Sequence, residues 1–136
     1  MQLVLALACD HAEVRPDGKL DVQGIFNELN APGFPAAQDS MTVVFVLEWE
    51  RDETGTHELR ADLMDQNDRM VLTIQGHTEV PARTLEQHPP QTRLILKLDR
   101  VIFPAAGSYR FRLRAGQQTL DALPIHVVER KQDPRR

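Results

Sequence analysis

Phe103-Pro104-Ala105-Ala106-Gly107-Ser108-Tyr109-Arg110-Phe111-Arg112-Leu113 is the stretch that decides the fold. Gly107 permits a tight entry into a strand. Tyr109, Phe111 and Leu113 then alternate with Arg110, Arg112 and Arg114, the period of a strand with one buried and one wet face. Upstream, Leu94, Leu96 and Leu98 share one parity within a strand over Thr92 to Val101. Downstream, Ala115-Gly116-Gln117 is a short turn into a last strand over Thr119 to Glu129. Pro124 cannot donate to a ladder, so that strand is expected at a sheet edge or bulged at this point. The parity change from Leu120 and Ala122 to Leu123, Ile125 and Val127 favours a bulge.

The rest of the chain reads the same way. Gln2 to Cys9 is nearly continuous in apolar residues, as for a strand covered on both faces, with Cys9 in register with Leu3, Leu5 and Leu7 as a small core residue. Arg15-Pro16-Asp17-Gly18-Lys19 is a turn. Lys19 to Leu29 is a second strand, with a bulge expected at Gly24. Asn30 to Ser40 is a loop holding Phe34 between Gly33 and Pro35. Met41 to Glu50 has Val43, Phe45, Leu47 and Trp49 on one face and Val44 and Val46 on the other, a central strand. Arg51 to Gly55 is a polar turn. His57 to Asp65 and Arg69 to His77 form a hairpin with Gln66-Asn67 as a two-residue loop, placing Leu63 opposite Met70, Ala61 opposite Leu72 and Leu59 opposite Ile74. Thr78 to Gln91 is the longest irregular stretch.

These are about eight evenly spaced strands without a helix, so the expected class is all-β, a sandwich or barrel. The Gly107-x-Tyr109-x-Phe111 pattern resembles the tyrosine corner of immunoglobulin-like sandwiches, in which a Tyr hydroxyl bonds back to the corner backbone. The resemblance implies an immunoglobulin-like antiparallel β-sandwich, with a jelly roll as runner-up. It places the strands ending near Val101 and starting near Gly107 in opposite sheets. The domain is expected over residues 1–129, with 130–136 a solvated tail.

Composition narrows the function classes. A chain of 136 residues with 41% hydrophobic residues can bury a real core. A net charge of -4 offers no global attraction to nucleic acid or an acidic membrane. No apolar run reaches the ~20 residues of a membrane span. Leu5-Ala6-Leu7-Ala8-Cys9 has the outline of a lipoprotein cleavage box, but no Lys or Arg precedes it, so a first strand is the better reading. A single Cys allows no intrachain disulfide, compatible with a reducing cytoplasm.

Ala8-Cys9-Asp10-His11-Ala12, Asp17-Gly18-Lys19-Leu20, Gly24-Ile25-Phe26, Phe34-Pro35, and Phe103-Pro104 with Gly107-x-Tyr109-x-Phe111 occur in that order over most of the chain. Together they resemble a family of small bacterial all-β proteins known as a domain of unknown function. The resemblance implies a bacterial soluble protein of similar fold, and no activity.

The chemistry-bearing residues give no catalytic constellation. His11, His57, His77, His88 and His126 have no zinc-ligand spacing and no second Cys, so neither a metal nor another cofactor is expected. The carboxylates fall at outward parity or in turns. Arg110, Arg112 and Arg114 form a basic stripe without aromatic platforms on the same face, and cross-strand pairing with Glu48 and Glu50 is expected for it. No Gly-rich phosphate loop or nucleophile elbow is present, and each glycine is assigned to a turn, loop or bulge. The expected function is therefore non-catalytic: a cytoplasmic module that binds another protein, with a homodimer as one form of it. A small-molecule or carbohydrate-binding module is the alternative. In an immunoglobulin-like arrangement the loops Asn30–Ser40, Thr78–Gln91 and Ala115–Gln117 gather at one end. That makes Phe34, Pro35, His88, Pro89 and Pro90 the candidate binding tip, against the plainer reading that Phe34 folds back to plug the end of the core.

Overall fold

The structure is a computed structural model and describes residues 1–82 and 88–130. Nine strands build it: β1 (Gln2–Val14), β2 (Leu20–Phe26), β3 (Glu28–Ala31), β4 (Ala36–Glu48), β5 (Gly55–Met64), β6 (Met70–Val80), β7 (Gln91–Phe103), β8 (Gly107–Ala115) and β9 (Gln118–Glu129). They form two sheets, one in the order β2-β1-β4-β7 and one in the order β3-β9-β8-β5-β6, packed as a β-sandwich. One strand more than expected arises because the run from Lys19 to Leu29 divides at Asn27: β2 pairs with β1, while β3 crosses to the other sheet and pairs parallel with β9. The loop expected from Asn30 to Ser40 is correspondingly short, since β4 already begins at Ala36.

The main core lies between the sheets. Val43, Phe45 and Leu47 of β4 meet Phe111 and Leu113 of β8, and the Phe45 and Phe111 rings stand edge to face at 5.7 Å. Leu94, Leu96 and Leu98 of β7 pack on this cluster from the sheet opposite β8, as the corner reading requires. The corner itself is closed by Tyr109, only 3% exposed, whose hydroxyl donates to the Ala105 carbonyl at 2.5 Å and accepts from the Ala105 amide at 3.3 Å.

A second, smaller cluster covers the outer face of the four-stranded sheet. Cys9, Ala12, Val44 and Val46 are buried there, with Leu7, Leu20, Val22 and Ile95 against them. β4 is thus buried on both faces, as its sequence suggests. What covers this face is the β1–β2 hairpin itself. Across from Asp10, Gly24 takes a φ of +69°, and the Asp10 side chain fills the space a Cβ would need. Leu20 and Val22, before Gly24, join the outer cluster, while Phe26, after it, joins the main core. Arg93 of β7 then donates to the Gly18 carbonyl at the hairpin tip, at 2.6 Å. The β1–β2 register runs unbroken past Gly24, so the expected bulge is instead a left-handed kink that only glycine adopts without strain.

Two other expectations are corrected by bulges and turns. In β1 the register skips Val4, so Leu3 faces the main core while Leu7 and Cys9 face the outer cluster. Cys9 is fully buried, and burial, aided by Asp10, pushes its thiol pKa up. The β5–β6 hairpin closes as Asp65–Arg69 rather than on two residues. Asp68 takes a φ of 60°, and the Asp65 carboxylate accepts from the Asn67 and Arg69 amides at 2.8 Å each. Leu63 consequently faces Leu72 and Ala61 faces Ile74, while Leu59 faces Gly76. The apolar residues keep their inward parity because the slip is a whole pleat repeat.

β9 is not an edge over its second half, where β3 covers His126–Glu129. Its bulge is real: the register jumps from Arg110↔Pro124 to Phe111↔Ala122, leaving Leu123 unpaired at a φ of 56°. Of the expected tail, 130–136, Arg130 still donates its amide to the Ala31 carbonyl at 2.8 Å, and residues 131–136 lie outside the described residues.

Candidate functional site

The proposed binding tip does not assemble. Ala36 pairs with Phe103 at one end of the β4–β7 ladder, and Glu48 pairs with Gln91 at the other. Phe34 and Pro35 precede Ala36; His88, Pro89 and Pro90 precede Gln91. Along the 13 residues of β4 the two groups stand roughly 40 Å apart. Phe34 is half-buried and packs against the main core, closing that end of the sandwich, while Pro35 is exposed. Of the 78–91 stretch, Thr78–Val80 belong to β6 and Gln91 opens β7, while residues 83–87 lie outside the described residues.

At the other end, His88 is exposed and the Pro90 carbonyl accepts from the Trp49 amide at 2.9 Å. Trp49 is buried at 1% exposure, donates from Nε1 to the Thr92 hydroxyl at 2.8 Å, and stacks on His57 at 4.5 Å. The Gly116 amide bonds the Glu58 carbonyl at 3.1 Å, which brings the Ala115–Gln117 turn to this end. Pro90 and the Ala115–Gln117 turn therefore lie at the same end, away from Phe34. Glu50, Asp52 and Glu53 form a cluster of carboxylates beside them. Glu53 accepts from the Glu50 amide at 2.9 Å, so the cluster serves to cap the 3-10 turn Arg51–Glu53.

Arg110 and Arg112 of the basic stripe on the outer face of β8 are ion-paired, though not with Glu48 and Glu50. Those glutamates belong to β4 and its following turn, and β4 lies in the other sheet. Asp121 of β9 instead receives Arg110 at 3.1 Å and Arg112 at 3.0 Å, and Arg110 also pairs with Asp68. The hydrogen bonds from Arg112 and Arg110 hold the Asp121 carboxyl below the usual range. Next to them Asp62 is 4% exposed; burial alone would raise its pKa, but hydrogen bonds from Thr73 and Arg60 overcome that and lower it. Above this row a polar hollow of about 500 Å³ is lined by Glu58, Arg60, Gln75, His77 and Arg114. A small-molecule or carbohydrate ligand would find its polar partners there.

The most distinctive surface lies at the free edge of β1. β2 pairs only with Ala8–Val14, so among the described residues no strand lies beside Gln2–Leu7 on the side away from β4. Around this bare edge Val4 is 50% exposed, Leu5 39% and Ile25 65%. Val4 is thrown outward by the bulge. Leu7, Ile25, Leu123 and Pro124 line a hollow of about 480 Å³ just below it. The signal available in sequence was the run from Gln2 to Cys9 without a single charge. It reads as burial, and only the early departure of β2 uncovers half of it.

The family described as "Family of unknown function (DUF6941)" matches residues 4–128, and the chain belongs to it. No curated protein and no solved structure matches the chain. No described helix is long and apolar enough to cross a membrane.

Proposed function

We propose that this member of a family of unknown function is a non-catalytic interaction module of the reducing cytoplasm, and that it pairs with a second copy of itself along β1. The observation that carries the reading is the bare edge Gln2–Leu7 with Val4, Leu5 and Ile25 exposed beside it. Unpaired edges template association unless charge or cover blunts them. In a two-fold antiparallel pairing residue i of one copy meets residue j of the other and j meets i, so an edge whose charges are mostly of one sign repels itself. β7 carries Arg93, Lys97 and Arg100 against the single Asp99, whereas β1 carries no charged side chain up to Cys9 and the Met1 amino group is paired with Glu53. Self-pairing is therefore disfavoured at β7 and unopposed at β1. The immunoglobulin-like reading of the sandwich is supported by β8 lying between β9 and β5, across the corner from β7.

Light scattering across a concentration series tests this. The wild type is expected at the mass of two chains in the tens of micromolar. Leu5→Lys and Ile25→Asp are each expected at the mass of one chain with an unchanged melting temperature, since both side chains are already exposed. A one-chain mass for the wild type at every concentration sinks the self-pairing, as does a dimer indifferent to both substitutions.

A further inference from the structure

Gly76 has no local reason to be glycine. It lies in mid-strand, in regular register opposite Leu59, and its φ is not in the left-handed region. An added Cβ would meet nothing within 4 Å. The expectation that every glycine serves a turn, loop or bulge fails here. Glycine weakens a strand, and where no turn or bulge requires it, close approach of another group is the remaining use.

What lies behind Gly76 is the core. Its missing side chain opens a notch of about 90 Å³ lined by Leu59, Ala61, Ile74, Leu94, Leu96 and Leu113, the room of one aliphatic side chain. The notch sits on the flank where β6 ends one sheet and β7 ends the other. Leu94, Leu96 and Leu98 face inward yet are only half-buried there. We propose that this flank takes an extended acidic–aliphatic peptide segment, added as a strand beside β7, with one aliphatic side chain seated in the Gly76 notch.

Strand geometry fixes the pattern. A strand paired to β7 directs inward the residues opposite Leu94 and Leu96 and outward those opposite Arg93, Ile95 and Lys97. Lys97 faces Thr42 across the sheet and has no ion pair among the described residues. Carboxylates opposite Arg93 and Lys97 complement them. The segment accordingly reads acidic, aliphatic, any residue, aliphatic, acidic. The same two cations that disfavour a second copy on this edge select such a partner. This flank is distinct from the β1 edge, so the two proposals stand or fall separately.

A labelled peptide of about twelve residues with Glu, Leu, Ser, Leu, Glu at its centre is titrated with the full chain and followed by fluorescence anisotropy. Saturable binding is expected. Gly76→Val is expected to weaken it about tenfold or more while leaving the melting temperature equal or higher, because the new side chain fills the notch itself. Lys97→Glu is expected to weaken the same peptide and to favour one with Lys in place of both Glu. Absence of binding up to millimolar peptide, or binding that Gly76→Val leaves intact, overturns the proposal. So does binding that Leu5→Lys abolishes, since the peptide would then occupy the β1 edge.

Discussion

Phe111→Ala is expected to lower stability by about 3–5 kcal/mol, the cost of deleting a fully buried aromatic ring from a core that cannot collapse around the gap. Phe111 is 0% exposed, and it links three strands and both sheets: it pairs with Leu63 of β5 and Ala122 of β9, and meets Phe45 of β4 at 5.7 Å. The edge-to-face contact adds to the area buried. Chemical denaturation with matched slopes reads the loss directly. A change below about 1 kcal/mol, the ordinary surface-to-average range, would mean that the two sheets do not close on this ring.

Tyr109→Phe is expected to lose roughly 1–3 kcal/mol, although it removes a single oxygen. That oxygen both donates to and accepts from the backbone of Ala105, and the site is shielded from water at 3% exposure. The ring keeps its edge contact with Phe103 at 4.9 Å in the variant, so the packing is conserved and the hydroxyl is isolated as the variable. An unchanged denaturation midpoint would show the hydroxyl to be wet and the corner to be held by apolar contact alone.

The corner was legible because everything it needs is local: a glycine, a tyrosine two residues on, and alternating side chains. Inward parity was legible for the same reason along β5, β7 and β8. What sequence could not supply were the decisions made between strands. The Asp65 carboxylate and the left-handed Asp68 lengthen one turn and move the hairpin by a pleat repeat, with no trace in the apolar pattern. The extra residue at Val4 turns Leu7 and Cys9 to the opposite face from Leu3. Asp121, not Glu48, meets the arginines because strand order, which no periodicity encodes, puts β9 beside β8.

The candidate site shows the same division. A lone loop aromatic can present a surface or fold back on the core, and Phe34 does the second. The β1 edge was hidden inside a run that reads as buried, because its exposure follows from β2 ending at Phe26 and the chain crossing as β3 to the other sheet. Gly76 was hidden by the assumption that strand glycines mark bulges.

Hydrogen exchange at two protein concentrations tests the central claim most directly, because it locates the interface rather than counting chains. Among the described residues, amides within Gln2–Leu7 have only β4 as a neighbouring strand. On concentration from dilute to the tens of micromolar, added protection is expected in this segment and around Ile25, with β3 and β7 unchanged. Protection that is independent of concentration in Gln2–Leu7, or that appears at another edge, contradicts it.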